Sequence, residues 1–599
     1  MPTPRTTPPA LAAAITQARR RAQQGESFKE ILEQLLLELT HESADAFALL
    51  LDAGRGAFTP LLEAHSGRAL FIGDACSGTP VALGHMGFNV LRVDTCGLRL
   101  AFANLRDASL DHPGQSLLTG TDPRLPFADD SFDLVVQEEG LPHPALGWGH
   151  DMDELWRVCR GELWISADNR LAYKRSTGMR GQHKKAGALA WMNAALFPRS
   201  GERTWAGTRS ALQAKSVALR SYALYPHSKD FSHVVALDAE LPRLTIGPME
   251  RKNRLKTLAA AAGLFPWLTP SFAIHGSREK AGTQRLDRIL AVIAERLDEP
   301  VPQVEHVVST RSNNCLVQTR PQGAQPHALS HLESTPPGYW ILHIPTNPST
   351  ERMLRNDADF LRHIQTAHPK LPIPEPLIAE RIEGLFLHCE RRLTGLAAPQ
   401  LASDPSIEKK LLMDVALDFC ELIVEPDALI DEARFAELVS PRFQLARRLC
   451  GHEGTADALQ AMHEDARECL VGRRIPLVLY HADLRPKHLQ VRSNGKVVAY
   501  LDWGASERCF LPYLDLLHLI VHLSKGHSPD AAAACARVRD GQWLPHERAA
   551  LDLYASYLGL DEEVQACLER TLPGFMAGMS ERNWDYSRPQ WVRRQFGLA

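Results

Sequence analysis

Apolar and polar positions follow two different rhythms along this 599-residue chain. In FKEILEQLLLELTHESADAFALLLDAG, starting at Phe28, apolar side chains recur at three- and four-residue intervals, which predicts two helices. ALAAAITQARRR upstream predicts another helix after a Pro-rich start. From Ala69 the rhythm changes. ALFIG, NVLRVD, QSLL, FDLVVQ and GELWISA are short apolar runs, separated by loops and by helical stretches such as VALGHMG and HDMDELWRVCR. Strands alternating with helices predict an α/β fold with a doubly wound, mainly parallel sheet. Ligands of such sheets bind at the carboxyl ends of the strands, here near residues 73–79, 94, 122 and 138.

Periodicity weakens after residue 170. RSTGMRGQHKKAGALAWMNAALF and SGERTWAGTRSALQAKS carry many Arg, Lys and Trp residues. They suit an acceptor-binding insertion that stacks on sugars or pairs with phosphates, and equally a solvated tether. A hairpin around FSHVVALDA is expected to complete the first sheet. The pattern then returns, with LDRILAVIAERLDEP as a helix, VEHVVSTRSNNCLVQTR and GYWILHIP as strands, and NPSTERMLRNDADFLRHIQ as an amphipathic helix. Three segments follow from this: a helical 1–57, a sheet domain over 58–280 and a second domain over 281–599. No internal repeat links them.

Composition narrows the function classes. With 44% hydrophobic and 23% charged residues the bulk should fold, and a net charge of -4 supplies no global attraction to nucleic acid. The 11 cysteines contain no C-x-x-C pair, which argues against a zinc ribbon or a disulfide framework and fits a reducing compartment. No window is apolar enough to span a bilayer, and the weakly apolar start is followed, not preceded, by its arginines. A cytoplasmic protein is expected. The tail RNWDYSRPQWVRRQFGLA suits a peripheral membrane contact or docking on the large lobe, with docking favoured because Pro589 interrupts an amphipathic helix.

The densest chemistry lies at 481–504, HADLRPKHLQVRSNGKVVAYLDWG. LQVR and VVAYLD read as strands joined by a Ser-Asn-Gly turn, so a hairpin brings Asp483 in the preceding loop close to Asp502 at the strand end. One carboxylate can orient an acceptor hydroxyl while the other holds magnesium on nucleotide phosphates. The run resembles the aminoglycoside phosphotransferase and choline kinase group, whose usual form is close to HGDLHPGNILV followed by IDWG. That resemblance implies a two-lobed α+β kinase-like domain using ATP with magnesium. It places His481 and Asp483 in the catalytic loop, Asp502 on the metal, and Asp515 at the start of the next helix. Two positions depart from the family. His488 replaces a metal-binding asparagine, and His343 in WILHIP stands where a lysine should contact phosphates, with Asp357 the expected acid beside it. An active phosphotransferase and a pseudokinase therefore both stand. His518 and His522 share a helix face, but without an HExxH pattern helix packing is favoured over a metal clamp.

Residues 60–240 resemble class I S-adenosylmethionine-dependent methyltransferases in LPFADDSFDLVVQ and MDELWRVCRGELWISADN. In the family's D-x-G-x-G-x-G loop this chain has Phe71, Gly73, Ala75 and Ser77, small after the first position but lacking the acid. The resemblance implies that Asp94 meets the ribose hydroxyls and Asp122 lies near the adenine. A helix cap is the plainer role for Asp94, but the strand order together with LPFADDSFDLV favours the cofactor reading. Glu138, Glu139, His143 and His150 remain open between proton acceptors and loop residues. Taken together, the halves imply a bifunctional transferase acting on a small-molecule or glycan hydroxyl. This layout is similar to that of enzymes that phosphorylate and methylate the end of a bacterial surface polysaccharide. The alternative is a methyltransferase regulated or scaffolded by an impaired kinase-like domain.

Overall fold

The computed structural model describes residues 9–39, 47–110, 114–119, 124–138, 152–172, 204–228, 230–237, 262–279, 282–310, 313–324, 335–401, 404–450, 453–524 and 531–578. Asp122, Glu139, His143, His150, most of the basic insertion and the C-terminal tail lie outside them. Helices α1 (Pro9–Gln23) and α2 (Phe28–Glu38) open the chain, and Ser27 starts α2 through a capping box with Glu30. Phe28 and Phe47 close on Phe102 of α4 (Gly97–Ala108), with ring centroids 5.5 and 5.3 Å away. The N-terminal helices are thus packed onto the sheet domain.

The predicted strands form β1 (Gly67–Ile72), β2 (Phe88–Asp94), β3 (Gln115–Leu118), β4 (Phe132–Gln137) and β5 (Cys159–Asp168), all parallel in the order 3-2-1-4-5. Helix α3 (Thr79–His85) follows β1. The order reverses between β1 and β4, and that switch point is where such sheets bind ligands. Beyond β5 come β8 (Ser271–Ser277), β6 (Ala218–Pro226) and β7 (Phe231–Ala236), all antiparallel.

The hairpin expected to complete this sheet instead carries it onward. β7 pairs with β9 (Gln303–Thr310), Val234 opposite Val307, and the ladder continues through β10 (Asn314–Arg320), β11 (Trp340–Pro345), β13 (Leu385–Arg391) and β12 (Pro376–Ile382). Among the described residues the result is one sheet of 13 strands. Pairing satisfies the outer edge of β7, which would otherwise present open hydrogen-bonding groups. The core is shared as well, since Phe58 and Trp164 join Leu286 and Ile289 of α5 (Arg285–Leu297) and Trp340 in one apolar cluster. Polar contacts cross the same seam. Asn313, in the turn before β10, accepts from the N–H of Ala53 at 2.7 Å, and His85 lies 3.3 Å from Glu351.

Glu351 belongs to α6 (Pro348–Ala367), which packs on β11 and β13 and completes the small lobe. The large lobe is mainly helical around a separate apolar core. Among its elements are β14 (Leu396–Ala397), β15 (Ile423–Leu429), β16 (Arg474–Tyr480), the hairpin β17 (Leu489–Val491) and β18 (Val497–Tyr500), and helix α7 (Leu514–Leu523). No helix among the described residues is long and apolar enough to cross a membrane.

Candidate active sites

β16 delivers the chain into the loop that carries Asp483. Ala482 adopts φ +66°, a left-handed conformation that explains the glycine usual at this point of the resembling run. Asp515 in the first turn of α7 holds the strained turn by accepting from the N–H groups of His481 at 2.7 Å and Ala482 at 3.0 Å. Burial drives the Asp515 carboxyl up to about 7, against the pull of those two donors and with help from the charge of Asp483.

His481, expected among the catalytic groups, is fully buried. Its Nε2 meets Leu501 O at 3.0 Å, its Nδ1 accepts from Asp483 N at 3.4 Å, and its ring packs on Trp503. Burial and the neighbouring His488 push it down to about 4, so it stays neutral. It orients the loop from behind and does not face the cleft.

The hairpin forms as expected, with Leu489 opposite Tyr500. Asp502 does not end the strand, however. It lies two residues past β18 at φ +65°, because α6 turns the chain off the ladder: Asp357 Oδ1 accepts Trp503 N at 2.7 Å and Asn356 donates to Gly504 O at 2.8 Å. Asp502 is left half-exposed beside Asp483. Arg485 donates to Oδ2 of Asp483.

His488 joins the two aspartates. Its Nδ1 lies 2.7 Å from Asp483 O, a carbonyl that can only accept, so Nδ1 carries the proton. Nε2 then points its lone pair at Asp502 Oδ2, 3.1 Å away. Burial lowers the His488 pKa despite both carboxylates, favouring the neutral ring. Two acceptors this close repel unless a cation lies between them. Partial burial works against ionised Asp502, but the surrounding positive charge, Lys487 and Arg485 included, outweighs it and holds the carboxyl below its usual range. Asp483, His488 and Asp502 each offer a ligand atom within 4.8 Å of the others. Two carboxylates and one imidazole fit a divalent cation, magnesium through the oxygens and manganese better through the nitrogen.

The pair expected in the small lobe is not the one formed. His343 Nε2 lies 3.4 Å from Glu390 Oε1, whereas Asp357 faces His388 Nε2 at 3.3 Å. The register is the cause: His343 on β11 sits directly opposite His388 on β13, and the rings stack with centroids 5.6 Å apart. His388 thus occupies the acid that His343 was expected to use. Burial opposes its charge, but Asp357 and Glu390 raise it to about 10. His388 and Glu390 were missed in the sequence, although alternation in LFLHCER places both on one strand face. His518 and His522 contact each other at Nε2, 3.0 Å apart, and join no metal-capable group among the described residues.

At the switch point of the first sheet, Asp94 does stand at the end of β2, but all four of its acceptor directions are taken. Oδ1 accepts from Cys96 N and Arg99, and Oδ2 from Ala75 N and Arg99. The loop of small residues is closed by protein. Ala75 and Ser77 are fully buried, and a Cβ on Gly78 would lie 2.3 Å from the backbone of Asp52. Smallness at Gly78 therefore serves packing against the segment before β1, while Gly73 is left partly exposed. Glu138, beyond β4, accepts from Ser77 and Thr79 and pairs with buried Arg55 at 3.0 Å. As arranged, these residues do not fit a ribose unless Arg99 swings away.

The small lobe, the loop at 481–488 and the turn at 502 define a two-lobed, kinase-like fold. Residues 318–551 match the model of the phosphotransferase enzyme family. Among solved structures, the GDP complex of wild-type aminoglycoside 2'-phosphotransferase-IIIa is similar over 51% of this chain and 97% of its own, at 14% identity and a TM-score of 0.34. A SAM-dependent methyltransferase from Aquifex aeolicus is similar over 40% of this chain and 100% of its own, at 11% identity and a TM-score of 0.23. No curated protein matches the chain. The fold is defined by the order and direction of its own strands.

Asp515 predicts a pH effect. Its carboxyl titrates near 3.9 in an unfolded chain and at about 7 in the fold, so between these values the native state holds the extra proton. Its contribution is fully present below the lower value and lost as pH rises through the upper one. Urea denaturation at about pH 5 and about pH 8 should show wild type losing stability relative to Asp515→Asn as pH rises. A difference independent of pH would contradict this.

Proposed function

We propose that the chain is a two-site group-transfer enzyme. At the 481–502 corner it transfers a phosphoryl group from a nucleoside triphosphate to a hydroxyl of a small molecule or glycan, with a divalent cation. At the first switch point it carries an S-adenosylmethionine-type methyltransferase module. The observation that carries the phosphotransfer reading is the convergence of Asp483 and Asp502 on His488.

Arg485 engages one oxygen of Asp483 and leaves the other to accept from the acceptor hydroxyl. That contact positions the attacking oxygen, and positioning is most of what this chemistry asks of the protein. Neutral His481 keeps the loop in register from behind. A bound divalent cation would neutralise charge on the nucleotide phosphates. Asp502 and His488 are the residues that would hold it.

A second reading, a nucleotide-sensing pseudokinase that regulates or scaffolds the methyltransferase, draws on His343, which stands in for a lysine and pairs with Glu390. Calorimetry and turnover assays with ATP and Mg²⁺ or Mn²⁺ separate the two. Phosphotransfer predicts metal-dependent binding with slow turnover, and at least about tenfold weaker binding in Asp502→Ala. Binding without turnover supports the pseudokinase. Absence of nucleotide binding at every metal concentration would sink both.

For the first site, Arg99→Ala frees the Asp94 carboxylate and should tighten S-adenosylmethionine binding, while Asp94→Ala should weaken it. Unchanged affinity in both variants would place the ribose elsewhere.

A further inference from the structure

Both candidate sites lean on one short segment, residues 50–56. On one side it covers the loop after β1. Leu50 O accepts from Gly78 N at 2.9 Å, Arg55 pairs with Glu138 at 3.0 Å, and a Cβ on Gly56 would collide with that of Ala82 in α3. On the other side it is fastened to β9 and β10, the first hairpin of the small lobe. Asn313 Oδ1 accepts from Ala53 N at 2.7 Å and from Gly54 N at 3.2 Å, and Ser309 Oγ donates to Gly54 O at 2.7 Å. In a kinase-like fold the corresponding loop covers the nucleotide phosphates.

The segment has no slack. A Cβ on Gly54 would lie 3.0 Å from Thr310 O, so the backbone meets β9 as closely as it meets α3 on its far side. Asn313 is itself buried, sits at φ +57°, and its carbonyl accepts from Thr346 N at 2.9 Å, directly before the Asn347 cap of α6. Elements packed this tightly move between discrete arrangements and do not deform continuously. In the arrangement observed, Ala75 and Ser77 are buried and Glu138 is engaged, which, with the Arg99 contact to Asp94, is why the first site does not fit a ribose. A ligand lying along the β1 loop requires residues 50–56 to withdraw. Withdrawal breaks the hydrogen bonds of Ala53 and Gly54 to the β9–β10 hairpin.

We propose that residues 50–56 form a shared clamp that makes occupancy of the two sites antagonistic. With the clamp closed, the hairpin is pinned for nucleotide and the first site is shut. With the clamp withdrawn, the first site opens and the hairpin loses its anchor. Nucleotide therefore binds the closed arrangement better and an S-adenosylmethionine-type ligand the open one, and that difference in affinity is what couples the sites. The antagonism rests on the reading that both sites bind these ligands; the mechanical link through Asn313 does not.

Titration calorimetry on the full chain, with ADP and Mg²⁺ as one probe and S-adenosylmethionine as the other, measures the coupling. Saturating S-adenosylmethionine should weaken ADP binding at least about fivefold, and saturating ADP should weaken S-adenosylmethionine binding by the same factor. Asn313→Gly removes only the accepting side chain and keeps the left-handed backbone, so the two affinities should become independent; Asn313→Asp keeps an acceptor and should restore the coupling. Hydrogen exchange reads the clamp without any ligand. In Asn313→Gly the amides of Ala53 and Gly54 should exchange at least about tenfold faster, and that of Gly78, on the far side of the segment, should follow. Independent affinities in the wild type, or faster exchange confined to residues 53–54, would overturn the clamp. A chain that fails to bind either ligand contradicts the proposed function, and exchange at Gly78 then decides on the clamp by itself.

Discussion

Two buried carboxyl groups brace the two loops that form the candidate phosphotransfer site. Asp515 holds the backbone N–H groups of His481 and Ala482, directly before Asp483. Asp357 holds that of Trp503, directly after Asp502. In both places the chain is forced into a left-handed turn at a residue other than glycine, a conformation that persists only where surrounding contacts over-determine it. The two aspartates can face one another across His488 because each loop is held from the protein side. Hydrogen bonds to a buried carboxyl oxygen are strong enough for this task, because the low local dielectric strengthens them.

The brace at Asp502 reaches back through the whole molecule. Asp357 sits on α6, α6 packs on β11 and β13, and these strands continue through β9 into β7 of the first sheet. Asn313 adds a polar contact to Ala53, and Glu351 one to His85 at the end of α3. A chain of two independently tethered units would leave the small lobe free to tilt. Here its outer edge is used up by the first sheet, so both candidate sites belong to one extended scaffold.

Much of this was legible in the residues. The alternation of apolar runs marks every parallel strand, and the 481–504 run marks the hairpin and both aspartates by order and spacing. What escaped was cross-strand information. Nothing in WILHIP alone says that His343 will lie opposite His388, because register is a property of two strands. The partners of Asp94 were hidden similarly. Arg99 is five residues away, and only the placement of α4 after β2 returns it to that carboxylate. The continuation from β7 to β9 depends on open edges, which no local pattern reports.

The central claim is that Asp483, His488 and Asp502 form one cation-binding corner. Pulsed electron paramagnetic resonance of Mn²⁺ bound with a nucleoside diphosphate to the full chain tests it most directly. The account predicts nitrogen coupling from a single imidazole, which disappears in His488→Asn while manganese remains bound. A manganese signal with no nitrogen coupling, or one unchanged by that substitution, would contradict it.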